Sequence, residues 1–306
     1  MEHEPILIVG TGALACLFAA KLAPITAVTM LGSWRAGVEA LQEFGGRLVD
    51  EHGEKAYRVQ AVDNPSQCKD FRHALVLVKS WQTERAAEQL EQCLLVEGIA
   101  LTLQNGVGNL EKLQSTLGPA RTSLGVTTSG ATLLGPGRVR AGGKGATHLI
   151  LQKKLAPITS LLRAADFEII AAHDLDSLLW GKLVINAGIN PLTAILGVTN
   201  GELLKHPHAY AIMKAAAEEA AAVAHALGVE LPYEDPVAQV AEVAAKTAQN
   251  TSSMLQDLAR AAPTEIDAIA GAIVGEGVRK QIATPVNNIL WNLVHTMVSM
   301  NKADGQ

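Results

Sequence analysis

Pro5-Ile6-Leu7-Ile8-Val9-Gly10-Thr11-Gly12-Ala13-Leu14-Ala15 is the stretch that decides the fold class. Ile6 to Val9 is a short continuous apolar run, as expected of a strand buried on both faces of a parallel sheet. Gly10-Thr11-Gly12 follows without a spacer, and Leu17, Phe18, Ala20 and Leu22 then recur at helical spacing. A strand, a glycine turn and a helix in that order form the context of the dinucleotide fingerprint G-x-G-x-x-G/A. Gly10 suits the tight turn, and Gly12 lets the backbone approach a pyrophosphate at the positive end of the helix. Ala15 fills the third small-residue position. With Thr11, Ala13 and Leu14 between them, residues 10–15 are the first cofactor-binding candidates. The same residues would also suit a turn that only packs helix on strand. Their place at the first β-α junction of a 306-residue chain favours the nucleotide.

The second strand is Ala27 to Leu31, followed by Gly32-Ser33-Trp34-Arg35. An NAD site places an acid near this strand end to bond the ribose 2′-hydroxyl. Here no acid occurs until Glu39. Ser33 and Arg35 stand there instead, a hydroxyl and a guanidinium suited to a 2′-phosphate, so NADPH/NADP is favoured over NAD. Arg47 and Arg58 are secondary candidates. Residues 45–62 alternate in polarity like a hairpin. Strands are expected at His73–Val78 and Ile99–Leu103, with Lys79 and Asn105 at their carboxyl ends, where open α/β sheets bind ligands. Ser123–Thr128 and His148–Leu151 read as shorter strands that extend the sheet with antiparallel members, punctuated by Gly135-Pro136-Gly137 and Gly142-Gly143.

Net charge -5 and a pI near 6.0 exclude a general nucleic-acid binder, which would show a basic face. Cys16, Cys68 and Cys93 form no C-x-x-C pair and read as buried thiols of a reduced, cytoplasmic protein. No apolar run approaches the ~20 residues of a membrane span, so no membrane partner is expected. The nine His are scattered and His206-Pro207-His208 lacks ligand spacing, so no metal is expected.

Strand signals end near residue 173. The expected architecture is an α/β Rossmann-type N-terminal domain over residues 1–173, binding the dinucleotide, plus an all-α C-terminal domain over 174–306 for substrate and catalysis. Within the latter, Trp180 to Pro191 is apolar with three polar interruptions, Lys182, Asn186 and Asn190. Four-residue spacing puts them on one helical face. Unpartnered, they would cost several kcal/mol to bury, so the stripe should face a ligand unless it consists of a snorkelling Lys and two satisfied core amides. Pro191 is expected to end or kink this helix at Asn190. Further helices are expected over Pro207–Leu227, Val237–Asp257 and from Thr264, where Glu265 would meet the positive helix end. The polar cluster Asn250-Thr251-Ser252-Ser253 interrupts a helical stretch and needs a reason. The last helix, with Val286, Ile289, Leu290, Leu293, Val294, Met297 and Val298, carries one broad apolar face that suits either packing within the domain or a homodimer.

As a set, these motifs resemble the ketopantoate reductase family. The residues that carry the likeness are Gly10-Thr11-Gly12-Ala13, Leu103-Gln104-Asn105-Gly106 and Leu179-Trp180-Gly181-Lys182-Leu183 through Ile189-Asn190-Pro191-Leu192-Thr193-Ala194. Asn200-Gly201-Glu202-Leu203, Asn250 to Asp257 and Thr264-Glu265-Ile266-Asp267 complete it. The resemblance implies NADPH-dependent reduction of 2-dehydropantoate to (R)-pantoate, on the route to pantothenate and coenzyme A. It implies Lys182 as the proton donor and Glu265 as its catalytic companion. Asn105, Asn186, Asn190, Asn200 and Ser253 match substrate-binding positions. Asn105 and Glu265 also match positions near the nicotinamide, and Ala131 a backbone contact to the cofactor. Alternatives are a reductase of another 2-keto acid and a catalytically silent NADPH-binding regulator. Retention of both Lys182 and Glu265 speaks against the regulator.

Overall fold

The computed structural model describes residues 4–303, so the first three and last three residues of the two expected domains lie outside it. The chain divides into two compact units. One comprises the residues up to Gln104 with Asn109–Leu175; the other comprises Asn105–Gly108 and everything from Asp176 onward.

The first unit is an α/β Rossmann-type domain. Its elements are β1 (Ile6–Val9), α1 (Ala13–Leu22), β2 (Val28–Leu31), α2 (Arg35–Phe44), β3 (Gly46–Asp50), β4 (Gly53–Tyr57), β5 (Gln60–Val62), β6 (Phe71–Val76), α3 (Thr83–Cys93), β7 (Leu94–Thr102), α4 (Asn109–Leu117), β8 (Thr122–Thr127), β9 (Ala131–Gly135), β10 (Arg138–Ala141), β11 (Ala146–Leu149), α5 (Ala156–Ala164) and β12 (Glu168–Ala171). Eight strands form one sheet in the order β12-β11-β8-β7-β6-β1-β2-β5. Its pairs are parallel except β11 against β8. Alternate residues of β1 explain the unbroken apolar run. Ile6 and Ile8 enter the core beneath α1 and α5, while Leu7 and Val9 enter the core beneath α3.

The polar excursion at 45–62 is the hairpin β3–β4 followed by edge strand β5. Strands flank Pro136-Gly137 as well, and β9 and β10 join β3 and β4 in a separate sheet, β4-β3-β10-β9, rather than extending the main one. Cys16, Cys68 and Cys93 are free and buried.

The second unit is helical apart from its loop at 105–108: α6 (Leu175–Leu196), α7 (Glu202–Lys205), α8 (Pro207–Ala226), α9 (Pro236–Lys246), α10 (Ser253–Ala259), α11 (Ala272–Lys280) and α12 (Pro285–Ala303), with a π-helical turn at Asp267–Gly271. Two expectations fail here. First, α6 does not end at Asn190 but runs through Pro191 to Leu196. The ring costs roughly 3 kcal/mol in a helix interior. Buried Ile189, Leu192 and Ala194 offset it, and the Thr193 hydroxyl lies 2.9 Å from the Ile189 carbonyl. Second, the stretch expected as one helix from Val237 to Asp257 is two, α9 and α10, because Ser252 turns out of the helix to cap α10, accepting the Leu255 N–H at 3.2 Å. By length and mean hydropathy, 1.2, α6 is also long and apolar enough to cross a bilayer, but 61% of that window is buried inside the protein, as in a core helix.

Glu219 of α8 anchors the start of α12, accepting from the Val286 and Asn287 backbone N–H groups at 2.8 and 2.9 Å. The apolar face of α12 divides. Leu290 and Val294 are buried in the helical core, whereas Ile289 and Leu293 are exposed.

Candidate functional site

In the first unit the glycine turn has an open backbone. Gly10 sits at φ 131, where a Cβ would come within 3.0 Å of the Leu77 carbonyl. Gly12 precedes α1 with φ -80 and ψ -174 and no side chain capping the helix. Nothing lies within 4 Å of where its Cβ would stand. Ala15 is fully buried against the sheet, Ala13 and Leu14 are half-buried, and Thr11 is buried. Bare N–H groups at a helix start with open space before them fit a pyrophosphate. Gly32, at the end of β2, has its own reason: a Cβ there would meet Thr11 Cγ2 at 2.5 Å.

Ser33 and Arg35 follow β2 on the surface. Ser33 accepts from Gln82 Nε2 at 3.0 Å, and Arg35 pairs with Glu39 one helical turn on at 2.6 Å. Arg47 is tied to Glu54 in the small sheet at 3.2 Å, and Arg58 lies beside Gly45. Ala131 opens β9, half-buried against the core beneath α1. Lys79 is half-buried just past β6.

The end of β7 is locked by Gln104, part of the motif at 103–106, together with Thr83 and Asn109, which no motif singled out. Gln104 Nε2 donates to the Val78 carbonyl at 3.0 Å and to Thr83 Oγ1 at 2.8 Å; its Oε1 accepts from Thr102 at 2.9 Å. Thr83 and Asn109 are linked at 2.9 Å. These groups are buried and mutually satisfied, which rigidifies the strand end.

In the second unit α6 presents its polar stripe as expected. Lys182, Asn186 and Asn190 are half-buried, while Gly181, Leu183, Val184, Ala187, Gly188 and Ile189 are buried. Two glycines set the helix down closely. A Cβ at Gly181 would stand 2.7 Å from Pro232, and one at Gly188 would stand 2.9 Å from Val240. Tyr233 also donates to the Gly181 carbonyl at 2.8 Å. The Asn186 and Asn190 side-chain amides make no hydrogen bond among the described residues.

Glu265 is buried and accepts from Asn105 Nδ2 at 3.4 Å, across 160 positions of sequence. Burial pushes the Lys182 ammonium down to about 8, and the negative charge of Glu265 opposes that shift. Three of the expected site residues thus share one electrostatic neighbourhood. Glu265 does not sit inside a regular first helical turn; it lies two residues before the π-helical turn, and Thr264 Oγ1 accepts weakly from the Ile266 N–H at 3.4 Å.

Asn200 and Ser253 stand differently. Asn200 is buried and donates to Thr247 Oγ1 at 2.9 Å, and its backbone N–H meets the Asn250 carbonyl at 3.0 Å. It fastens the turn after α6 to the break between α9 and α10. Ser253 is exposed at the start of α10. Its neighbour Ser252 is the buried one, 2.8 Å from Thr193 of α6. The polar cluster flagged the segment, but only packing distinguishes the two serines.

The chain matches two family profiles in tandem: "Ketopantoate reductase PanE/ApbA" over residues 6–151 and "Ketopantoate reductase PanE/ApbA C terminal" over residues 174–298. It is 35% identical over 315 residues to a 2-dehydropantoate 2-reductase of Archaeoglobus fulgidus, covering 98% of this chain and 99% of the relative. Among solved structures it resembles a PanE/ApbA family ketopantoate reductase from Ralstonia eutropha JMP134, with TM-score 0.91, 30% identity and 98% and 100% of the two chains covered. It also resembles D-mandelate dehydrogenase in a ternary complex with NADH and anilino(oxo)acetate, with TM-score 0.90, 25% identity and 98% and 100% covered.

Proposed function

The chain belongs to the ketopantoate reductase family, a family of pyridine-nucleotide-dependent reductases, and from that premise we propose that it reduces 2-dehydropantoate to (R)-pantoate with NADPH on the route to pantothenate. The observation that carries this reading is the electrostatic grouping of Lys182 with Glu265 and Asn105. A bound nicotinamide supplies the hydride. A ketone that receives hydride becomes an alkoxide, which needs a proton and a nearby positive charge as it forms. Lys182 supplies both. Its lowered pKa, about 8, makes it a stronger acid than a free lysine while leaving it charged at neutral pH. Glu265 keeps that proton in place until it is drawn off. The unengaged amides of Asn186 and Asn190 are donors for substrate oxygens, and Ser253 adds a hydroxyl.

Residues 10–15 hold the nucleotide through the backbone at the start of α1, with Lys79 and Ala131 as further contacts. NADPH is preferred because Ser33 and Arg35 stand where an NAD site has an acid. Glu39 shares the Arg35 guanidinium, so a 2′-phosphate has to compete with that exposed ion pair.

A second reading comes from the D-mandelate dehydrogenase neighbour, whose complex contains NADH. On that reading the chain reduces a different 2-keto acid with NADH. Steady-state rates with NADPH and NADH against a panel of 2-keto acids separate the two. Turnover of 2-dehydropantoate with NADPH, and little with NADH, supports the first. A preference for an aryl-substituted keto acid with NADH establishes the second. Tight NADPH binding with no turnover on any member of the panel leaves a silent regulator.

A further inference from the structure

We propose that Asp267 is a positioning residue: anchored by Trp291 and His295 of α12, it fixes the π-helical turn that sets Glu265 and the Asn105 loop against one another. The proposal rests on the reading of Lys182 and Glu265 given above.

The turn at Asp267–Gly271 closes through five residues, the Gly271 N–H reaching the Ile266 carbonyl at 3.0 Å. Such turns are rare and need support from outside their own backbone. Here the support is a single carboxylate oxygen. Asp267 Oδ1 accepts from Trp291 Nε1 at 2.8 Å and lies 2.8 Å from His295 Nε2, which donates to it in the corresponding tautomer. The two partners stand one turn apart on α12, so one helix face grips one oxygen. Gly271 completes the fit: a Cβ there would stand 3.0 Å from Trp291 Nε1, so the bare backbone lets the indole sit close.

The other side of the turn meets the loop that carries Asn105. The Val107 N–H reaches the Ala268 carbonyl at 3.4 Å, and a Cβ on Gly106 would stand 2.5 Å from that same oxygen. The Ala268 N–H also returns to the Glu265 carbonyl at 3.1 Å. Asp267 lies two residues after Glu265, and its own side chain is 64% exposed, so its role is exerted through the backbone it holds. Beyond His295, the charged side chain nearest to it in sequence is Glu265 itself.

The test is the pH dependence of kcat in Asp267→Ala, Asp267→Asn and Trp291→Phe, with Glu265→Gln as the reference. Because Glu265 helps Lys182 hold its proton, Glu265→Gln should move the alkaline limb of kcat to lower pH. Asp267→Ala should move it in the same direction, with kcat/KM down on the order of tenfold and the NADPH Kd within about twofold of the parent. Asp267→Asn keeps an oxygen that accepts the Trp291 N–H and should restore most of the loss. Trp291→Phe keeps an aromatic ring over Gly271 without the N–H and should give a smaller shift, which serves if Asp267→Ala does not fold. A limb left in place by both Asp267→Ala and Trp291→Phe, with kcat/KM within about twofold, overturns the proposal even if Tm falls. An unmoved limb in Glu265→Gln overturns instead the reading of Lys182 and Glu265, and the proposal with it.

Discussion

Lys182 has buried Leu183 and Val184 beside it, and that environment is costly for an ammonium. A depressed lysine pKa means that the folded state holds the proton less readily than the unfolded chain. The penalty is therefore fully present at neutral pH and is relieved as pH rises from about 8 toward the ordinary lysine value, 10.5. Three consequences can be measured. As a proton donor, Lys182 should give a kcat that falls as pH rises through about 8. Lys182→Ala should lower kcat by roughly 10²–10⁴-fold with little change in NADPH affinity. Lys182→Met, isosteric and uncharged, should be equally inactive yet raise Tm, a gain in stability at the expense of function. A kcat near the parent value in either variant removes Lys182 as the acid. Arg35 is the other residue open to a direct test. A charge-assisted bond to phosphate contributes about 1.5–3 kcal/mol, so Arg35→Ala should weaken NADPH by roughly 10–100-fold and NADH little. Equal weakening of both nucleotides ends its assignment to the 2′-phosphate.

Among the elements, α6 depends on close contacts that no periodicity displays. Gly181 lets Pro232 approach, so Gly181→Ala drives a methyl into a neighbour 2.7 Å away. The expected cost is about 1–3 kcal/mol, visible in urea unfolding as a lower midpoint at unchanged slope. Ser252→Ala removes the cap of α10 and the hydroxyl that meets Thr193, at a cost of about 1 kcal/mol or more. Ser253→Ala, one residue on and exposed, should leave stability within about 0.5 kcal/mol and instead raise KM for the keto acid. If both serines behave alike in the two assays, the division of labour between them is wrong. The break between α9 and α10 has the same logic. The Asn200 and Gly201 N–H groups bond the Asn250 and Ala248 carbonyls at 3.0 and 3.1 Å, which an unbroken helix would keep for itself.

At the scale of the whole chain, each unit has its own hydrophobic core, and the proposed function assigns each its own part of the chemistry. Nucleotide binding should therefore be separable from catalysis by mutation. NADPH at 100 times its Kd should stabilise the protein by about 2.7 kcal/mol. Gly12 has φ -80 and open space at its Cβ, so Gly12→Val should fold. It places a side chain where a pyrophosphate would lie and should abolish the NADPH-induced rise in Tm, while Lys182→Ala retains it. A full rise in Gly12→Val would remove the glycine turn from cofactor binding. The strand, glycine turn and helix at residues 5–22, and the stripe of Lys182, Asn186 and Asn190, were legible in the sequence because both are local periodic patterns that a few consecutive residues specify. The passage of α6 through Pro191, the division of α9 from α10, the choice of Ser252 over Ser253 as cap and the pairing of Asn105 with Glu265 were settled by tertiary structure alone. Each depends on which distant groups meet, and a contact across 160 residues leaves no periodic mark on either partner's neighbourhood.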